Sequence, residues 1–193
     1  MAPTSIAIPG VRRTGRVSRW GRWSEARLVR AVQRGDEAAL AELFDRHWDG
    51  AHRAALLVTG DAAAAEDIAQ EAFLAALRSL DQFDARRPLR PWLHRIVVNR
   101  AIDHARARAL RREVGVPVPE AAAPEAAAGA DERLVAALQR LPVEQRAVIA
   151  LRYLLELTPG EIAVALDLPR GTVNSRLRRG LDALGEAVGE EVR

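Results

Sequence analysis

Apolar residues recur along this chain at helical rather than strand spacing, in segments separated by short polar breaks. The first segment begins near Ser24 and runs to Arg34, where Gly35-Asp36 interrupts it. Asp36 is a good N-cap, because its carboxylate accepts from backbone N–H groups that the first helical turn leaves unpaired. Residues 37–58 then read as a long helix, with Leu40, Leu43, Phe44, Trp48, Ala51, Ala55 and Val58 near one face. Gly60-Asp61 ends that helix and caps the next, about 62–80. A loop over 81–90 follows, and Pro91 sits in the favourable first turn of a helix reaching about residue 113.

The pattern changes abruptly over 114–130, where Pro117, Pro119 and Pro124 forbid a continuous helix. This stretch predicts a flexible linker between two helical domains. Periodicity resumes over 132–140, breaks at Leu141-Pro142, and continues as a helix to about residue 156. Thr158-Pro159-Gly160-Glu161 is a capping box with proline at the first helical position, and it opens a short helix over 159–166. A turn at Asp167-Leu168-Pro169 leads into a last helix over about 170–188. Asp167 stands where such turns often carry glycine, and Asp tolerates the left-handed conformation better than most residues. Two short helices joined in this way predict a helix-turn-helix. In the last helix Val173, Leu177, Leu181 and Leu184 share one face and are expected in the core.

Residues 1–23, punctuated by Pro3, Pro9, Gly10, Gly15 and Gly21, read as an unstructured basic tail. The expected organisation is therefore tail 1–23, helical domain 24–113, linker 114–130 and helical domain 131–189. Composition agrees with an all-α fold: 49% of residues are hydrophobic but only 4% aromatic, and alanine and leucine dominate. The absence of cysteine excludes disulfides and thiolate metal sites. No stretch approaches the roughly 18 apolar residues of a membrane span, and no apolar segment follows the N-terminal arginines as a signal peptide requires. A cytoplasmic, nucleoid-associated protein without membrane insertion is expected.

The formal net charge of +3 says little, but its distribution says more. In the helix over 62–80, Glu66, Asp67, Gln70 and Glu71 fall on one face. Such a face repels phosphate and suits a basic protein partner. The next stretch is opposite in sign: Arg86, Arg87, Arg90, Arg95, Arg100, Arg106, Arg108, Arg111 and Arg112 accompany the single acid Asp103. Clustered guanidiniums beside Phe83 and Trp92 suit single-stranded or distorted DNA, although Trp92 shares a face with Ile96 and is expected in the core. Asp103 is expected to pair with Arg100 or Arg106. On the last helix Thr172, Ser175, Arg176 and Arg179 lie opposite the core face, where a recognition helix meets base edges. Arg170, Asn174 and Arg178 flank them, in positions for backbone contacts.

These residues also resemble a known family. The run from Ala65-Glu-Asp-Ile-Ala-Gln-Glu-Ala-Phe73, with Arg90-Pro-Trp-Leu-His-Arg-Ile-Val-Val-Asn99 and Asp103, resembles region 2 of extracytoplasmic-function (ECF) bacterial sigma factors. Leu141-Pro-Val-Glu-Gln-Arg146, Leu151-Arg-Tyr153 and Gly171-Thr-Val-Asn-Ser-Arg-Leu177 are similar to region 4. The resemblance implies that Asp67, Gln70 and Glu71 contact the β′ clamp of core RNA polymerase. It implies that Asn99 and the preceding loop capture an unstacked base of the promoter −10 element, with Arg86, Arg87, Arg90, Arg95 and Arg106 on neighbouring DNA. It further implies that Arg170, Thr172, Asn174, Ser175, Arg176 and Arg179 serve the −35 element, that region 4 docks on the β flap, and that an anti-sigma factor is a partner. Asn174 departs from the lysine common at its position in the family, and the long basic tail is not part of the family pattern.

Two other classes fit less well. A helix-turn-helix regulator acting without polymerase needs a ligand or phosphoacceptor domain, and the first half shows neither. A nucleic-acid enzyme needs converging catalytic or metal-binding groups, yet His47, His52, His94 and His104 lack ligand spacing. No catalytic residue, metal or cofactor is expected.

Overall fold

The computed structural model describes residues 23–117 and 136–191, with side chains to residue 186. Within them every regular element is helical. The first half comprises α1 (Glu25–Gln33), α2 (Glu37–Thr59), α3 (Ala62–Ser79), a 3-10 turn (Leu80–Gln82) and α4 (Leu89–Glu113). The second half contains helical residues 136–139, then α5 (Val143–Ile149), α6 (Pro159–Leu166) and α7 (Arg170–Glu191). The expected tail, and most of the expected linker, lie outside the described residues.

Helix starts follow capping chemistry, at Asp36 and Asp61 as the sequence predicted. Ser24, Asp36 and Asp61 each accept a backbone N–H from the first turn of the following helix. Gly60 closes α2 in the left-handed region at φ 68°, where a side chain would also collide with Gln139. Alanine explains the tight association of α2, α3 and α4. Ala51, Ala54, Ala55, Ala65, Ala69, Ala72 and Ala101 are all fully or nearly fully buried. Small side chains at a helix contact let the axes approach closely, and Phe44, Trp48 and Phe73 fill the wider end with ring centroids 4.8–5.9 Å apart. His94 is buried in this core (1% exposed), where burial and the nearby Arg90 and His47 push its imidazole down to about 3, so it is neutral at physiological pH.

The capping box at α6 forms as expected: Glu161 N–H donates to Thr158 Oγ1, and Thr158 N–H donates to Glu161 Oε2 at 2.8 Å. Asp167 adopts φ 52° and closes α6. Two expectations change. The helix expected to reach residue 156 instead widens into a π-turn over Ala150–Leu154, and Glu156 adopts φ 56°. The wide turn lets Leu155 and Leu157 both enter the core, at 3% and 4% exposure. Leu181 is not in the core but 40% exposed. The buried stripe of α7 runs through Val173 and Leu177 to Gly180, because a 3.6-residue period places residue 180 under the stripe and turns 181 away. A Cβ at Gly180 would lie 2.8 Å from Ile149 Cδ1, so glycine is what lets α5 and α7 approach.

The halves share a core. One contiguous hydrophobic cluster joins Val58, Val97 and Ile102 of the first half to Leu138, Val148, Leu151 and Ile162 of the second. Polar ties cross the same boundary: Gln139 Nε2 donates to Leu57 O (3.2 Å) and Arg90 Nη2 to Leu154 O (3.0 Å). Among the described residues no helix is long and apolar enough to cross a membrane.

Candidate functional site

Charge is sorted by helix. Glu66, Asp67, Gln70 and Glu71 are all exposed along α3, while Ile68, Ala69, Ala72 and Phe73 anchor its other side. Gln70 Nε2 donates to Glu66 Oε1 at 3.2 Å, so the amide is oriented along the face. Glu71 Oε2 lies 3.5 Å from Arg100 Nη1 of α4, where the acidic and basic surfaces meet.

Arg86, Arg87, Arg90 and Arg95 are exposed around the 83–90 loop and the start of α4. The loop is shaped by Asp84, whose carboxylate accepts the Arg86 backbone N–H at 3.0 Å and its guanidinium at 2.9 Å. The Arg86 guanidinium beside it holds the Asp84 carboxyl down to about 2. Phe83 packs its ring on Trp92 with centroids 4.7 Å apart, which puts Trp92 partly in the core as its phase predicted.

Asn99 and Arg106 continue along α4 into a cleft of about 290 Å³ that they share with Asp103, Glu144 and Arg176. Glu144 is the residue that sequence reasoning missed. Its Oε1 accepts from both Nε (3.2 Å) and Nη2 (2.9 Å) of Arg106. Burial alone would raise the Glu144 carboxyl; its N-terminal backbone amide, Arg106 and the more distant Arg176 outweigh that and hold it below its usual range. The expected pairing of Asp103 is therefore corrected: Arg100 meets Glu71 and Arg106 meets Glu144, because packing brings acids from α3 and α5 closer to these guanidiniums.

On α7, Arg170, Asn174 and Arg179 are exposed, while Thr172, Ser175 and Arg176 are half-buried. Ser175 Oγ donates to Thr172 O at 2.9 Å, and Arg179 Nε donates to Ser175 O at 3.2 Å. Arg176 turns into the cleft beside Asn99 and Arg106. The structure thus gathers Asn99, Arg106 and Arg176, from two separate candidate sets, into one place and leaves Arg170, Asn174 and Arg179 outside it.

Comparison with known proteins supplies the family. The model for Sigma-70 region 2 matches residues 43–111, and that for Sigma-70, region 4 matches residues 131–184. Over 172 residues the chain is 34% identical to the ECF RNA polymerase sigma factor SigW of Bacillus subtilis (strain 168), covering 81% of this chain and 92% of that one. The chain belongs to the ECF sigma factors. It is also 34% identical, over 98% of its length and 95% of the relative's, to the ECF RNA polymerase sigma factor SigM of Mycobacterium tuberculosis (strain ATCC 25618 / H37Rv). Among solved structures it resembles CnrH in complex with the cytosolic domain of CnrY, at TM-score 0.66 and 28% identity, covering 86% of this chain and 97% of that one. As a sigma factor it directs promoter-specific transcription, and the alternative of a helix-turn-helix regulator acting apart from polymerase is not favoured. Sigma factors are initiation factors, not enzymes.

Proposed function

We propose that this sigma factor divides its two tasks between oppositely charged helices. The acidic face of α3, through Asp67, Gln70 and Glu71, docks on the β′ clamp of core polymerase. The 83–90 loop, Asn99 and the arginines of α4, namely Arg86, Arg87, Arg90, Arg95 and Arg106, hold and open the −10 element. Thr172, Ser175, Arg176 and Arg179, flanked by Arg170 and Asn174, read the −35 element, while region 4 also meets the β flap. The observation that carries this reading is the adjacency of an exposed acidic face on α3 and an arginine surface on α4. Such a pair suits a protein wedged between a basic partner and DNA. The protein works in the cytoplasm at the nucleoid, carries no catalytic site or cofactor, and is held in check by an anti-sigma factor. Its likeness to CnrH, whose structure was solved with the cytosolic domain of CnrY, supports a protein regulator of this kind.

The deciding experiment is transcription by the purified protein with sigma-free core polymerase on genomic fragments. Discrete start sites with shared −10 and −35 sequences, and no footprint by the protein alone, are expected. Footprinting without polymerase would overturn the reading. In the same assay Arg176→Ala and Arg179→Ala should each cost about 1–3 kcal/mol and relax specificity at −35. A uniform loss on all sequences would make them phosphate contacts instead.

The cleft adds a quantitative expectation. DNA must compete with Glu144 for Arg106, and the negative field of Glu144 also reaches Arg176. The Arg106 side chain is 56% exposed and that of Glu144 30%, so the tie is worth roughly 0.5–1 kcal/mol. Glu144→Gln should therefore raise the affinity of the holoenzyme for promoter duplex by about two- to fivefold. Fluorescence anisotropy at low and moderate salt checks this, and an unchanged affinity would show that the contact does not compete with DNA.

A further inference from the structure

Helix α1 lies ahead of the matched region 2 segment, yet two of its side chains reach across to the loop that precedes α4. Gln33 Nε2 donates to both Leu80 O (2.8 Å) and Phe83 O (2.9 Å), the first carbonyl of the 3-10 turn and the residue just beyond that turn. Glu25 Oε2 accepts the backbone N–H of Leu89, the first residue of α4, at 2.9 Å. Its other oxygen lies 3.0 Å from His47 Nε2 on α2, which fixes the carboxylate against the bundle. The loop is thus held at its entry and its exit by residues 47 to 64 positions away in sequence.

Packing reinforces both ties. Leu28 and Val29 of α1 are buried in one cluster with Phe83, Ala85 and Leu89, while Asp84, Arg86, Arg87 and Arg90 point outward. Phe83, Ala85 and Leu89 are therefore anchors, and the residues between them are presented outward. A primary amide is well matched to the entry tie, since its two N–H groups can serve two carbonyls at once. Loss of those donors would leave the half-buried Phe83 carbonyl without its amide partner and Leu80 O with the Phe83 N–H alone (3.0 Å), and the loop would no longer be confined to one shape.

We propose that Gln33 and Glu25 are positioning residues for −10 recognition, bracing the 83–90 loop from α1 so that it presents a single surface to the extruded base. This rests on the reading that the loop contacts the −10 element. Neither residue touches DNA in this account. They act through the loop, and recognition precision depends on how rigidly a supporting set of contacts holds the reading residues.

The test uses holoenzyme assembled from the full chain and core polymerase, on a promoter found by the transcription experiment above. Transcription is compared between that promoter and each single-base change in its −10 element, and 2-aminopurine placed at each −10 position in turn reports base unstacking. In the wild type a changed base costs about tenfold or more. Gln33→Leu should reduce that discrimination to under about threefold at one or two −10 positions, and reduce the 2-aminopurine signal there. Core affinity and the response to −35 changes should stay as in wild type. Gln33→Lys, which restores donors to both carbonyls, should recover most of the discrimination. A uniform loss of transcript with discrimination intact would overturn the proposal and make the tie purely structural. Replacing residues 84–88 with Gly-Ser separates the two ideas. If that replacement abolishes −10 discrimination while Gln33→Leu preserves it, the brace is wrong and the loop reading stands. If the replacement itself leaves discrimination intact, the loop reading fails and the brace falls with it.

Discussion

Reversing two charges on α3, Asp67→Arg with Glu71→Arg, is expected to weaken binding to core polymerase by at least about 100-fold, or about 3 kcal/mol. Both residues are exposed, so neither change removes core packing and helical content should remain that of the wild type. On the proposed reading the loss arises because the face becomes like-charged with a basic partner, which costs several kcal/mol when the surfaces are brought together. Two controls separate this from damage to the fold. Glu71 also faces Arg100 across 3.5 Å, so Glu71→Arg places two guanidiniums side by side, whereas Asp67→Arg tests the face without that neighbour. Gln70→Ala removes an oriented amide and no charge, and should cost less than about 1.5 kcal/mol. Equilibrium competition for core at two salt concentrations is the measurement. The wild-type affinity should fall with salt more steeply than that of the reversed protein. If the double variant binds core as the wild type does, the acidic face is not the polymerase contact.

What could be read from the sequence is what local chemistry determines. Caps at Asp36, Asp61 and Thr158 lie within three residues of the amides they satisfy, so short motifs disclosed the helix starts. The same holds for the exposed positions of α3, fixed by period and by the apolar residues opposite. The family resemblance then supplied roles that periodicity cannot, since an acidic face does not disclose its partner. Features set by distant packing were not legible. The π-turn at Ala150–Leu154 lies in a run of good helix formers, and what bends it is the demand that Leu155 and Leu157 both be buried. Leu181 looked like core because it repeats every four residues from Val173, but a helix returns after 3.6, and the difference accumulates until Gly180 takes its place. Glu144 and Arg106 are 38 residues apart, and Gln33 reaches carbonyls 47 and 50 residues away. Asp103 was the sequence neighbour of both Arg100 and Arg106, yet three-dimensional packing offered each a nearer acid.

The other large effect expected is on stability, at the junction where α2 hands over to α3. Asp61 has two duties there: its carboxylate accepts the Ala64 N–H as the N-cap of α3, and it pairs with the guanidinium of Arg108 near the end of α4. The two side chains are only 11% and 12% exposed, so this is not a screened surface contact. Removing Asp61 takes a carboxylate partner away from a largely desolvated guanidinium, and loss of the cap adds about 1 kcal/mol. Asp61→Ala is expected to cost about 3 kcal/mol in all, lowering the melting temperature by roughly 6–12 °C for a chain of this size. Asp61→Asn keeps a side-chain oxygen for the cap and should retain the part due to it. The pH dependence identifies the charge. Burial on its own would raise the Asp61 carboxyl, but the Ala64 amide and Arg108 outweigh it and hold the group below its usual range. A carboxyl depressed in the folded state contributes stability above its unfolded value near 3.9, and loses it as pH falls through the folded value. The gap between wild type and Asp61→Asn should therefore be constant near neutrality and narrow below about pH 4. A gap that persists unchanged in acid would mean that shape, not charge, holds α3 to α4. That distinction matters for the proposed function, because the contact ties the start of α3, which carries the acidic face, to α4, which carries the arginines.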